Sequence, residues 1–130
     1  MNPVGGASLK AVLIAGIVTP FVAFIIEAAL LGYDPLDNGA TAIALPVAIL
    51  VTAFALFVLA FPLTLFVDNG GPERGRVALM LCLSVGVAIA ILFFASGSPA
   101  GRILGLHALI GAFAYCSSFS LMRARIVQNA

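Results

Sequence analysis

Four apolar stretches, at about residues 9–31, 42–67, 77–95 and 103–122, are parted only by short polar breaks. A helix rises about 1.5 Å per residue and the hydrocarbon core of a bilayer is about 30 Å thick, so roughly 20 apolar residues cross it. Each stretch meets that length, and the second exceeds it, which predicts a tilt or a kink. Inside lipid a backbone must satisfy its own hydrogen bonds, so stretches of this kind are helices. The expected fold is all-α: an integral membrane four-helix antiparallel bundle with short loops, forming a single transmembrane domain over residues 1–130.

Composition agrees with that reading. The chain is 63% hydrophobic and 8% charged, against about 45–50% and about 25% in soluble domains. A net charge of +1 leaves neither a basic stripe for nucleic acid nor an acidic tail. The breaks "GYDPLDNGA" (32–40), "DNGGPERG" (68–75) and "SGSPAG" (96–101) carry turn chemistry. Connections this short make successive helices antiparallel neighbours. The tripeptide "DNG" occurs twice, at 37–39 and 68–70, but it is a common turn sequence and its flanks do not repeat.

The basic residues set the expected orientation. Lys10, Arg74, Arg76, Arg123 and Arg125 fall on one side of a four-span chain, and Arg102 falls on the other with Asp34 and Asp37. The positive-inside rule then places both termini in the cytoplasm, with the bacterial inner membrane as the expected location. Lys10 before an apolar run, with "EAA" at its end, loosely resembles a signal peptide. The run is longer than a usual signal core and ends on a glutamate, so a retained first helix is expected.

Glu27 is the polar residue that most needs explaining. It sits about four residues, or roughly 6 Å, inside the outer end of the first helix, where the helix dipole disfavours an anion without a cationic partner. Arg102 and His107, at the outer start of the fourth helix, are the candidates. Gly16, Pro20, Ala23 and Glu27 share one stripe, as do His107, Gly111, Ala114 and Ser118. Small residues on the stripe of a polar one indicate a helix interface. Glu27 is therefore expected to face the bundle and meet Arg102, His107 or both. Such a cluster is either a bond fixing helix register or a protonatable outer gate.

A polar continuation inward is offered by "YCSSFS" (115–120) with Thr52, Thr64, Cys82 and Ser84. These groups either line a narrow wet path or bond to their own preceding turns and pack as small residues. Cys82 and Cys116 are expected as reduced thiols that pack. Pro20 and Pro62 free the carbonyls of Gly16 and Val58, predicting kinks, whereas Pro46 falls in or near the opening turns of the second helix.

The fourth helix also carries a second small-residue face: Gly101, Gly105, Ala108, Ala112 and Cys116. It lies roughly opposite the His107 stripe, with Leu106, Ile110 and Phe113 left for lipid. One helix of a compact bundle is not expected to turn opposite faces inward. This face is therefore read as a contact with a membrane protein partner or a second copy of the chain.

Catalysis is not expected. The single histidine lies on the opposite side from Asp68 and Glu73, so no base-and-orienter arrangement is available to a serine. His107 is at a different depth from the cysteines, which argues against a metal site. "GPERGR" lacks the phosphate-loop pattern. No enzyme activity, cofactor or metal is expected. The small multidrug-resistance transporters are similar in architecture, being short four-helix proteins with a first-helix glutamate. This chain has no Trp and places Glu27 near a helix end, so the likeness extends to architecture alone. The leading expectation is an accessory or scaffold subunit acting through helix–helix contacts. The alternative is a small oligomeric transporter or channel with a protonatable outer gate at Glu27 and His107.

Overall fold

A computed structural model describes residues 3–31, 39–68 and 71–128. Asp34, Asp37, Asn69 and Gly70 lie outside the described residues. The chain forms four helices: α1 (Pro3–Leu31), α2 (Gly39–Val67), α3 (Pro72–Ala95) and α4 (Pro99–Gln128). All four are long and apolar enough to cross a membrane. There is no strand among the described residues. The first three helices end where their apolar stretches end, at residues 31, 67 and 95. All four begin earlier than the apolarity does, and α4 runs on to Gln128. Hydropathy reports only the lipid-immersed part of a helix, whereas the hydrogen-bond ladder continues past it through polar residues.

The boundaries of α3 and α4 follow capping chemistry. Gly71 is the N-cap of α3, and Pro72 takes the first helical position, where a missing N–H costs nothing. At its other end Gly97 adopts a positive φ of 69°, and its N–H is 3.2 Å from the Phe94 carbonyl. That is the left-handed glycine stop expected after a helix. Ser98 then caps α4, its Oγ accepting the Gly101 N–H at 2.9 Å. Pro20, Pro46 and Pro62 all lie inside continuous helices. Pro46 is about two turns into α2 because that helix starts at Gly39.

The arrangement centres on α4, which packs extensively against α1 on one flank and α3 on the other. α1 also packs on α2, while α1 and α3 do not touch among the described residues. α2 meets α3 less extensively and barely reaches α4. The four helices therefore form a ring in which each packs on two neighbours, with α2–α3 as its loosest edge.

This geometry corrects the expectation for the second small-residue face of α4. Gly101 packs against Ser96 Oγ and the Phe93 carbonyl, and a Cβ on Gly105 would lie 2.9 Å from the Phe94 ring. Gly86 of α3 sits directly on Ala112 and close to the Ala108 carbonyl. The Cys116 Sγ lies 3.6 Å from the Leu79 carbonyl. The face is thus covered by α3 of the same chain. The premise that α4 turns only one face inward fails because a helix in a four-helix ring has two neighbours, and α4 packs on both α1 and α3.

Residue size runs opposite to that of a soluble protein. The buried set is dominated by Ala7, Ala11, Ala15, Ala23, Ala60, Ala78 and Ala90, while Phe21, Leu50, Phe54, Phe66, Leu92 and Leu121 are exposed. Lipid is as apolar as leucine, so exposing large side chains carries no hydrophobic penalty and small ones let backbones approach. A Cβ on Gly16 would fall 2.7 Å from the Ala53 Cβ, so α1 and α2 approach closely at this point.

Candidate functional site

Of the three residues expected to cluster, the structure brings two together. Glu27 is 4% exposed, and its Oε1 lies 3.5 Å from Arg102 Nη2. That is long for a charge-assisted bond, which runs about 2.7–2.9 Å. The Arg102 side chain is 48% exposed, so solvent and headgroups screen the pair and its contribution is small. The second carboxylate oxygen, Oε2, has no partner among the described residues.

His107 is committed elsewhere. Its Nδ1 lies 2.8 Å from the Ile103 carbonyl one turn back, and its ring meets Phe24 edge-on at 5.8 Å. A carbonyl only accepts, so Nδ1 carries the hydrogen, and in the neutral ring Nε2 is an acceptor. Nε2 is buried without a partner among the described residues, as is the Thr19 Oγ1, which lies beside Gly111.

A second polar centre joins all four helices. The Tyr115 hydroxyl of α4 is 2.6 Å from Ser8 Oγ of α1 and 2.6 Å from Thr64 Oγ1 of α2. Cys82 of α3 reaches the same threonine at 3.7 Å. Thr64 donates its single hydroxyl hydrogen to the Ala60 carbonyl at 2.7 Å. Tyr115 must therefore donate to Thr64, and Ser8 to Tyr115. Tyr115 is 1% exposed, so nothing outside the bundle replaces these bonds. Tyr115→Phe keeps the ring but strands the Ser8 hydrogen and a Thr64 lone pair. A loss of about 1–2 kcal/mol is expected, at the upper end of interhelical hydrogen bonds in membranes. Unfolding titrations in mixed micelles measure it, and an unchanged midpoint would rule out the hub as a stabilising element.

The third centre closes the α2–α3 end. Arg123 Nε and Nη2 donate to the two carboxylate oxygens of Asp68 at 2.7 and 3.1 Å. Nη2 also donates to the Gly71 carbonyl. The Asp68 side chain is fully buried, and that of Arg123 is mostly so. Gly75 is filled by the Arg123 side chain, so only glycine leaves room for the guanidinium to cross α3.

Sequence reasoning missed this pair and the Ser8–Tyr115 bond. Asp68 and Arg123 had been placed on the same side of the membrane, so depth matching of the kind applied to Glu27 and Arg102 was an available signal. Ser84 bonds back to the Met80 carbonyl at 2.7 Å, and Ser117 and Ser120 are exposed. These serines line no path. Both cysteines are free.

A cleft of about 600 Å³ lies between α2, α3 and α4, with Phe24 of α1 at one edge. Its walls are overwhelmingly apolar; Thr52, Cys82, His107 and Tyr115 border it, whereas Glu27 does not. No family model matches this chain, and neither a curated protein nor a solved structure matches it.

Proposed function

We propose that this chain is a four-span accessory or scaffold subunit of a bacterial cytoplasmic membrane. Its successive helices run antiparallel, its termini are cytoplasmic, and it acts by helix–helix contact. One observation carries the reading: the Asp68–Arg123 pair and the Ser8, Thr64 and Tyr115 hydroxyls bond helix to helix, while the walls of the cleft between α2, α3 and α4 are overwhelmingly apolar. Conduction would need those groups on a common wet path. With the Gly101 face covered by α3, contact with a larger partner or further copies falls to the outward surface of α2, the least buried span. Lys10, Arg74, Arg76 and Arg125 are exposed, and their bias supports the cytoplasmic placement of that end.

The alternative, a small oligomeric transporter or channel gated at Glu27 and His107, draws on the unpartnered Glu27 Oε2 and His107 Nε2. The two readings separate experimentally. The tagged protein, extracted from its native membrane in mild detergent, is expected to bring a stoichiometric membrane partner or to run as a defined oligomer. Proteoliposomes of the wild type and of Glu27→Gln are expected to leak protons and cations alike. A lone monomer would overturn the accessory reading, and a flux abolished by Glu27→Gln would establish the alternative.

A further inference from the structure

We propose that the cleft between α2, α3 and α4 binds one acyl chain of a membrane phospholipid, with the headgroup at the level of Arg102. The site is separate from the outward α2 surface assigned above to a partner. Volume sets the scale. A cavity of about 150 Å³ holds benzene, so about 600 Å³ holds roughly two dozen carbon-sized atoms, one acyl chain with slack.

Shape selects among occupants. The α4 floor runs from Ile103 to Tyr115 and the α3 wall from Cys82 to Phe93. These walls extend about 17–18 Å at 1.5 Å per residue, and the α2 wall runs from Ala44 to Leu63, about 28 Å, so the cleft is a long, narrow slot. The cleft stops at the Tyr115 hub, where Thr64 and Cys82 bring α2 and α3 together. A partner transmembrane helix is about 10 Å wide, so over the length of the α2 wall it would occupy roughly 2,000 Å³, several times the volume of the cleft.

Access is lateral. Val47, Val51, Leu59, Val85 and Leu104 line the cleft and are also exposed, so its mouth opens on the surface that faces lipid. Arg102 directly precedes Ile103 and Leu104 of that mouth. It also lines a shallow depression of about 210 Å³ with Phe94, Gly97, Ser98 and Pro99. Glu27 engages only one of its nitrogens, which leaves other N–H groups for a phosphate oxygen. Among the described residues the titratable groups at this level are Glu27, Arg102 and His107. Neither α2 from Ile43 to Leu56 nor α3 from Gly86 to Ala95 carries one.

The absence of Trp from the sequence permits a clean optical test on the full chain. A Val51→Trp reporter at the mouth, in phosphatidylcholine vesicles, is titrated with brominated-chain phosphatidylglycerol and compared with a Phe113→Trp reporter on the lipid-facing side of α4. Quenching at the mouth is expected to indicate about fivefold enrichment of the brominated lipid over the bilayer, the preference that one nearby arginine confers on an anionic headgroup. Arg102→Gln should remove that enrichment. Ala48→Phe, which fills the cleft, should lower quenching at the mouth to the level given by the bulk bilayer while sparing the Phe113→Trp reporter. Equal quenching at both reporters would overturn the site. Enrichment of brominated diacylglycerol equal to that of the phospholipid, insensitive to Arg102→Gln, would overturn the phospholipid assignment. A circular dichroism spectrum and elution profile matching the wild type verify that each variant is folded.

Discussion

Arg123→Ala is expected to destabilise the fold by about 3–5 kcal/mol, the range for breaking a buried ion pair by deleting one partner. The size of the effect comes from what remains behind. Asp68 is 1% exposed at the end of a membrane helix, and Arg123 supplies hydrogen bonds to both carboxylate oxygens. Without the guanidinium the buried carboxylate loses two charge-assisted hydrogen bonds, and the Gly71 carbonyl also loses a donor. Asp68→Asn with Arg123→Leu should recover much of the loss, since a neutral pair carries no uncompensated charge. Glu27→Gln should cost under about 1 kcal/mol because its partner is half exposed. Unfolding midpoints of the three variants in mixed micelles decide the matter. If Arg123→Ala and Glu27→Gln were equally mild, the α2–α3 end would not be held by this pair.

The second large effect is steric. Gly86→Leu should cost about 3 kcal/mol, the upper part of the overpacking range. Even the first carbon of the new side chain would overlap the Ala112 Cβ, so α3 and α4 must separate along their main contact. A swap isolates the cause: Gly86→Ala with Ala112→Gly moves one methyl group across the interface without adding volume. The remaining neighbours of a Cβ at position 86 are 3.6 Å away, an ordinary contact. The double variant should lie within about 0.5 kcal/mol of wild type, whereas Gly86→Ala alone should fall clearly below it. Equal losses in both would point to helix propensity rather than packing.

The helices were legible in the sequence because bilayer thickness dictates how long an apolar run must be, and that constraint acts on each span separately. Their starts were not, since residues such as Pro3, Gly39 and Pro99 join a helix for backbone reasons that hydropathy does not record. The stripe from Gly16 to Glu27 is buried throughout, so face and depth sufficed to direct Glu27 towards α4. They did not suffice for Gly101 and Gly105. A small-residue face marks contact without naming the contacting helix, and here that helix was α3 of the same chain. Ser8 lies just before the first apolar stretch and so escaped notice as a partner for Tyr115. The cleft has no counterpart in the sequence at all, because it arises from how far α2 stands from α4.

The distribution of partners around α4 has a consequence for the order of assembly. Helices enter the membrane as they are synthesised, from the N-terminus onward. Glu27, Ser8, Thr64 and Asp68 belong to α1, α2 and the turn after it, yet Arg102, Tyr115 and Arg123, which they meet, all reside on α4. α1 and α2 can pack as soon as both are inserted, whereas α1 and α3 have no contact of their own. The three polar centres therefore form only when α4 inserts between α1 and α3, and the bundle closes late.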